Sequence, residues 1–357
     1  MARVLVVGGG PAGLYASIKS AGSGFNTTLL ERDKIGGDIR CAEGFFDVMK
    51  LLGKPKAGVR FKVDKIIIRA KSTYYFDARR LYLWMIDRQT WQRELAKTAR
   101  QKGVKIEENT SISPCELKDA QKRYDYIIDA SGAPSVTSRL YGFSEFYREN
   151  SAKTVQYVAK GDFSYLGKNL KAGLIPELWG YYWVFPKGVD DDGRHTANIG
   201  VGNFNPSSRI SLWGLLEYAL RREGIDRESI DIIKTFGGIC PTRMPDKLVY
   251  DNILLAGDAA GLTSPLHGGG IDMAAISGIY AARALKEGVQ TYDKNLRGLL
   301  KERLQFENLL AQVWAKKNFD EMDRLINKVS HYKINKVFFN PKFMNKLLMS
   351  RIQSLLK

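Results

Sequence analysis

The chain of 357 residues is long enough for two domains and a sizeable hydrophobic core. Its formal charge of +17 suits an anionic partner (a phosphorylated substrate, an anionic membrane surface) or simply a solvated lysine-rich exterior; no motif for nucleic acid accompanies it, so no nucleic-acid role is expected. Three distant cysteines, Cys41, Cys115 and Cys240, offer neither a disulfide framework nor a metal-ligand spacing, so no metal and a reducing, cytoplasmic setting are expected.

From the first residues the pattern is specific. The β-branched run Arg3 to Val7 ends in Gly8-x-Gly10-x-x-Gly13, with Ala12 among small residues suited to a helix, and a second strand, Thr27 to Leu30, ends in Glu31-Arg32. The glycines allow a tight turn, close approach of backbone to a pyrophosphate, and close packing of helix on strand; unpaired N–H groups at the positive helix end take the phosphates. An acid after the second strand suits a ribose hydroxyl. The opening run is too short and too broken by glycine for a signal peptide, and no apolar run reaches transmembrane length.

A glycine-rich loop follows, Asp33 to Gly44, containing Cys41 and Ala42. Residues 60–86 alternate like antiparallel strands. Arg88 precedes a helix over about 89–102, ended by Gly103. Tyr124 to Asp129 reads as a buried parallel strand ending in Ala130-Ser131-Gly132. Residues 150–204 are aromatic and strand-like; 211–223 is a helix; 251–261 is a strand running into Gly257-Asp258-Ala259-Ala260-Gly261. His267-Gly268-Gly269-Gly270-Ile271 opens another helix, and the remainder is basic and helical. The fold class expected is α/β (α+β). A discontinuous Rossmann-like domain (1–45, 86–139, 241–290) carries an inserted antiparallel β-sheet domain for substrate (46–85, 140–240) and a helical C-terminal segment, 291–357.

The three glycine segments, with Glu31 and Asp129, resemble in order the FAD-binding segments of para-hydroxybenzoate-hydroxylase-like flavoproteins. Tyr181-x-Trp183-x-Phe185-Pro186-x-Gly188, followed by Asn198-x-Gly200-x-Gly202, looks like the narrower signature of geranylgeranyl reductases; Pro241-Thr242-Arg243 and Pro265 to Gly270 resemble archaeal members. The resemblance implies FAD held by Gly8, Gly10, Ala12, Gly13, Glu31, Arg32, Cys41, Ala42, Arg88, Asp129, Ala130, Gly132, Gly257, Asp258, Gly268, Gly269, Gly270 and Ile271. It implies an apolar chain gripped by Tyr181, Trp183, Phe185, Pro186, Gly188, Gly200, Gly202 and His267. Arg88 would reach the cofactor's phosphates or ribityl chain, Asp258 a ribityl hydroxyl, and the N–H groups of 269–271 the N1–C2=O edge of the reduced flavin. Cys41 and His267 are the candidate catalytic residues, for placing the alkene or supplying its proton.

The implied reaction is saturation of C=C bonds in geranylgeranyl chains of archaeal ether-lipid precursors: hydride from flavin N5 plus a proton, in a dry cavity. With one dinucleotide fingerprint taken by FAD, the electron donor is either NAD(P)H or a reduced ferredoxin-like protein. Alternatives in the same fold are a flavin monooxygenase or a quinone or quinone-side-chain reductase; one of another class is a non-catalytic electron-transfer flavoprotein. In the segment 324–357 basic residues mix with apolar ones at helical spacing. That pattern suits either an anionic membrane surface, which would make the protein peripheral on the inner face of the cell membrane, or helices packed on the protein's own core.

Overall fold

The computed structural model describes residues 1–205 and 207–330. Its first layer is a six-stranded sheet in the order Val249–Tyr250, Ile253–Leu255, Tyr126–Asp129, Arg3–Val7, Asn26–Leu30, Lys105–Glu107. All neighbours run parallel except the terminal Val249–Tyr250 pair. Val4, Leu5 and Val6 are essentially fully buried because helices cover both faces, which is why the strand reads as an unbroken apolar run. The first helix, Pro11–Gly22, crosses helix Ile271–Glu287 at Gly278, where a Cβ would stand 2.1 Å from the carbonyl oxygen of Ala12. Only a glycine permits that approach.

The second layer is a seven-stranded sheet ordered Asp231–Pro241, Ser151–Lys160, His195–Asn203, Gly180–Val189, Asn169–Ile175, Lys65–Arg69, Thr73–Asp77. It is antiparallel, with one correction to the expectation: Asn169–Ile175 and Lys65–Arg69 run parallel, because Lys65–Arg69 arrives from an excursion of the chain and not from a hairpin. Alternation divides the strand Gly180–Val189 cleanly. Tyr182 and Val184 sink into a core closed by helix Leu212–Arg222, while Tyr181, Trp183 and Phe185 face the other way. That helix begins where Ser211 accepts the N–H of Gly214 and ends on Arg221 and Arg222, complementing the helix dipole. A small third sheet, Gly44–Phe46 with Leu83–Ile86 and Val59–Lys62, joins the layers and spans residues 45–46 and 85–86. Its side chains Phe45, Trp84 and Ile86 pack with Trp91 and Ile271.

Two helices close the structure, Thr291–Lys316 and Phe319–Ser330. Their apolar residues Trp314, Met322 and Ile326 pack with Tyr74, Phe76 and Leu174 of the large sheet. Burying side chains of this size stabilises the docked helices by about 1.5–3 kcal/mol each. Ser72 donates its N–H to Asp323 at 2.8 Å, tying the last helix to the Lys65–Asp77 hairpin. For residues 324–330 the apolar stripe is thus turned onto the protein, with Arg324 and Lys328 outward. The rest of the amphipathic pattern, 331–357, lies outside the described residues. No described helix is long and apolar enough to cross a membrane.

Candidate functional site

One cavity of about 1320 Å³ runs between the parallel sheet and the face of the large sheet carrying Trp183. Ordinary small-molecule sites occupy about 300–1,000 Å³, so this one has room for a large cofactor and a second ligand. At one end Gly8, Gly10, Pro11 and Ala12 form its wall, with Glu31, Arg32, Ala130 and Gly132 beside them. Gly8 sits at φ +103°, and a Cβ there would strike the Ala130 carbonyl oxygen at 2.3 Å. Gly10 caps the first helix with no side-chain partner for the helix N–H groups, and nothing lies within 4 Å of where its Cβ would be. The Glu31 carboxylate accepts the N–H of Gly9 at 2.5 Å and that of Asp33 at 2.9 Å, which fixes the turn.

The middle of the cavity is built from Cys41, Ala42, Arg88, Gly257 and Asp258 and from Gly268 to Ile271 at the start of helix Ile271–Glu287. Asp87 caps the preceding helix, Arg88–Gln101, by accepting the Thr90 N–H, and so brings Arg88 to the wall. Arg88 donates to Gln92 at 2.7 Å, and Gln92 in turn donates to the Gly9 carbonyl at 3.3 Å. Burial holds the Asp258 carboxyl above its ordinary range, with Arg88 pulling the other way. No described residue donates a hydrogen bond to that carboxylate, which leaves an acceptor aimed at the cavity. His267 Nδ1 accepts the Gly269 N–H at 3.2 Å, so the neutral ring carries its proton on Nε2, 3.9 Å from Glu307. Burial lowers its pKa. Tyr181 donates to the His267 carbonyl at 2.7 Å.

The far end is apolar. Tyr181, Trp183 and Phe185 form one wall, the ring centres of successive pairs 5.7 and 6.4 Å apart, with Gly202 behind them. Ile66, Ile68 and Leu170 continue that wall, and Trp314, Met322, Ile326 and Val329 roof it.

Five residues expected at the site stand off the cavity wall. Gly13 is a packing glycine: its Cβ would meet the Gly8 carbonyl oxygen at 1.8 Å. Asp129 is fully buried and accepts from the Thr137 backbone and hydroxyl and from the Ser131 N–H, so it braces the Ala130–Gly132 turn. Pro186 and Gly188 form a bulge at the end of their strand. Gly200 lies beneath the Trp183 indole. Several lining residues went unnoticed in the sequence. Cys240, whose thiol burial pushes up to about 12, stands just before the Pro241-Thr242-Arg243 run, which by itself does not say that the thiol faces a cavity. Gln156 is an isolated polar residue in an apolar run. Trp314 and Met322 had a signal, the helical apolar spacing, but nothing in it says what the helices cover.

The fold and the cavity have counterparts. A family model described as FAD binding domain matches residues 3–67. The chain is 27% identical to a digeranylgeranylglycerophospholipid reductase of Thermoplasma acidophilum, covering 92% of this chain and 91% of the relative. It is 28% identical to one from Methanospirillum hungatei, covering 99% and 98%. A solved structure titled a geranylgeranyl bacteriochlorophyll reductase-like protein from Thermoplasma acidophilum shares the fold with a TM-score of 0.80 at 21% identity, over 99% of this chain and 100% of that one. A flavin-dependent brominase matches with a TM-score of 0.70 at 15% identity, over 98% of each chain.

Proposed function

We propose, for a chain similar over nine-tenths or more of its length to digeranylgeranylglycerophospholipid reductases, that it is a FAD-dependent oxidoreductase saturating the C=C bonds of geranylgeranyl chains on archaeal ether-lipid precursors. The observation that carries this is the shape of the cavity. A tunnel walled by Tyr181, Trp183 and Phe185 and roofed by Trp314 and Ile326 leads directly from the glycine turn at Gly268. A polyprenyl chain offers shape and apolar surface, and almost nothing to hydrogen bond.

The residues present fit FAD. The clear space at Gly10 and the uncapped N–H groups behind it suit a pyrophosphate. Glu31 and Arg32 would hold the adenosine end, Asp258 and Arg88 the ribityl chain, and the N–H groups of Gly270 and Ile271 the flavin ring, that of Gly269 being taken by His267. When bound, FAD supplies the hydride.

The chain does the rest. The aromatic wall and helical roof exclude water and align the alkene, which has no carbonyl through which charge is spread. Gly269 occupies Nδ1 of His267, so that imidazole orders the glycine turn and has one proton, directed at Glu307. Cys41 also lines the cavity; its sulfur accepts the Glu43 N–H at 3.2 Å, and its S–H is the other candidate proton donor. A donor of electrons, NAD(P)H or a ferredoxin-like protein, acts transiently, since the one dinucleotide turn is committed to FAD. Contact with an anionic membrane surface through the basic C-terminal segment fits a substrate that resides in lipid.

The test is anaerobic. Holoenzyme reduced with dithionite is mixed with digeranylgeranylglyceryl phospholipid. Reoxidation of the flavin without oxygen, with a mass gain of two hydrogens per double bond, supports the reductase. Reoxidation only on admitting oxygen, with an oxygen atom inserted, identifies a monooxygenase. Reoxidation by quinone analogues alone, with every alkene intact, identifies an electron-transfer protein.

A further inference from the structure

Asn198 of the Asn-x-Gly-x-Gly run and Gln156 on the neighbouring strand have no place in the roles assigned so far, and both are buried, 0% and 2% exposed. Gln156, Gly200 and Trp183 occupy one row across three adjacent strands, and Asn198 lies in the next row opposite Phe185. Because Gly200 has no side chain, the Trp183 indole crosses over it and donates Nε1–H to Gln156 Oε1 at 3.0 Å. The Gln156 amide nitrogen donates to Asn198 Oδ1 at 3.1 Å and to the Cys41 carbonyl at 3.4 Å. The Asn198 amide nitrogen donates to the Ala42 carbonyl at 2.9 Å and reaches Glu43 Oε2 at 3.5 Å. The buried Glu43 carboxylate also accepts the Arg88 N–H at 3.1 Å and pairs with Lys187. Glu43 itself is held at φ +65°.

Every donor in this chain meets an acceptor. Turning the Gln156 amide over would set an NH₂ group against the indole N–H and an oxygen against two other oxygens. The network therefore has one direction. Its two ends are the substrate wall and the loop carrying Cys41.

We infer that Gln156 and Asn198 are positioning residues: they tie Trp183 to the Cys41–Glu43 segment and fix the spacing between the chain-binding wall and the cofactor side of the cavity. They act through backbone carbonyls and one indole. The effect on turnover rests on the reductase reading; the effect on Cys41 does not. A displacement of this kind is a loss of alignment, which at about 1 Å costs on the order of a hundred-fold in rate.

The experiment uses holoenzyme and the substitution Gln156→Met, which keeps volume and removes all three hydrogen bonds. N-ethylmaleimide labelling of each cysteine is followed by peptide mass spectrometry, with exposed Cys115 as reference and Cys240 as a measure of general loosening. Expected is a rise of about five-fold at Cys41 with Cys240 unchanged, as local opening predicts. In steady-state assays kcat falls about ten-fold or more while KM for the prenyl lipid stays within a small factor. Trp183→Phe, which removes the far end of the network without touching the loop, is the second variant: it raises Cys41 labelling alone and adds nothing in the Gln156→Met background. Unchanged Cys41 labelling in these variants, or parallel rises at Cys41 and Cys240, overturns the assignment. Altered Cys41 labelling with no alkene reduction by any variant or by the parent leaves the positioning role standing and removes the reductase reading.

Discussion

Trp183 lies across Gly200, so close that a Cβ on the glycine would stand 2.2 Å from the indole Cζ2 and 2.8 Å from the Val155 carbonyl oxygen. The glycine exists for the tryptophan. Gly200→Ala must push the indole toward the cavity or spread the strands, and either response strains a packed site. We expect a loss of about 1–3 kcal/mol in stability. Binding of a long apolar chain weakens while FAD binding is kept. Thermal unfolding of the holoenzyme and titration with a prenyl alcohol measure the two effects. An unaltered melting temperature and affinity would show that the indole does not rest there.

The glycines of the phosphate turn make a sharper pair. Gly10 has an ordinary φ of −75° and open space where a Cβ would go, whereas Gly13 has the Gly8 carbonyl oxygen at 1.8 Å. Gly10→Ala is therefore expected to leave the apoprotein as stable as the parent and to weaken FAD binding, by about ten-fold or more if one hydrogen bond to the charged pyrophosphate is lost. Gly13→Ala damages both, since the helix must lift off its strand. Melting curves of the apoproteins and flavin fluorescence titrations distinguish the outcomes. Equal destabilisation by the two substitutions would contradict the geometry.

This contrast also shows what the sequence made legible. Gly8, Gly10 and Gly13 announced strand, turn and helix because Gly8 takes a positive φ, Gly10 leaves space open at the turn and Gly13 lets the helix close on it. The alternation Tyr181, Trp183, Phe185 announced a shared face for the same kind of reason. Asp129 was misplaced because an acid ending a parallel strand has the same sequence context whether it faces a ligand or, as here, the Thr137 and Ser131 N–H groups. The parallel neighbour of Asn169–Ile175 was hidden because strand order is set by tertiary packing, and local pattern carries no record of it. Gln156 was invisible for a related reason: its partners Trp183, Asn198 and Cys41 are 27, 42 and 115 residues away.

Asp258 gives a pH-dependent prediction. Burial raises its carboxyl pKa in the folded apoprotein above the ordinary 3.8. The folded state then holds a proton that the unfolded chain releases. Its favourable contribution is complete below pH 3.8 and is lost as pH rises through the raised value. Asp258→Asn removes that loss, so the variant apoprotein is more stable than the parent at neutral pH and its stability varies less over that window. It also lacks the charged acceptor for a ribityl hydroxyl, and FAD affinity falls about ten-fold or more. Urea unfolding of the apoproteins from pH 4 to 8, beside flavin titrations, tests both halves. A variant less stable at neutral pH would mean the carboxylate has a protein partner.

The helix Phe319–Ser330 separates two roles that its sequence left together. Met322 and Ile326 are buried against the large sheet, and Arg324 and Lys328 are exposed. If the apolar stripe roofs the tunnel, Ile326→Asp puts an unpaired charge into an apolar contact and undocks the helix. A change of that kind costs several kcal/mol locally. The expected result is loss of prenyl-chain binding and faster proteolysis near residue 326, with FAD affinity retained, since the dinucleotide end is built from other elements. Arg324→Glu with Lys328→Glu leaves chain binding in detergent unchanged, because neither side chain enters the tunnel. That double variant lowers co-sedimentation with anionic vesicles only if this face meets the membrane. Each basic side chain near such a surface contributes about 1 kcal/mol, so replacing two with acids is readily measured. Prenyl-chain binding that survives Ile326→Asp would remove the roof.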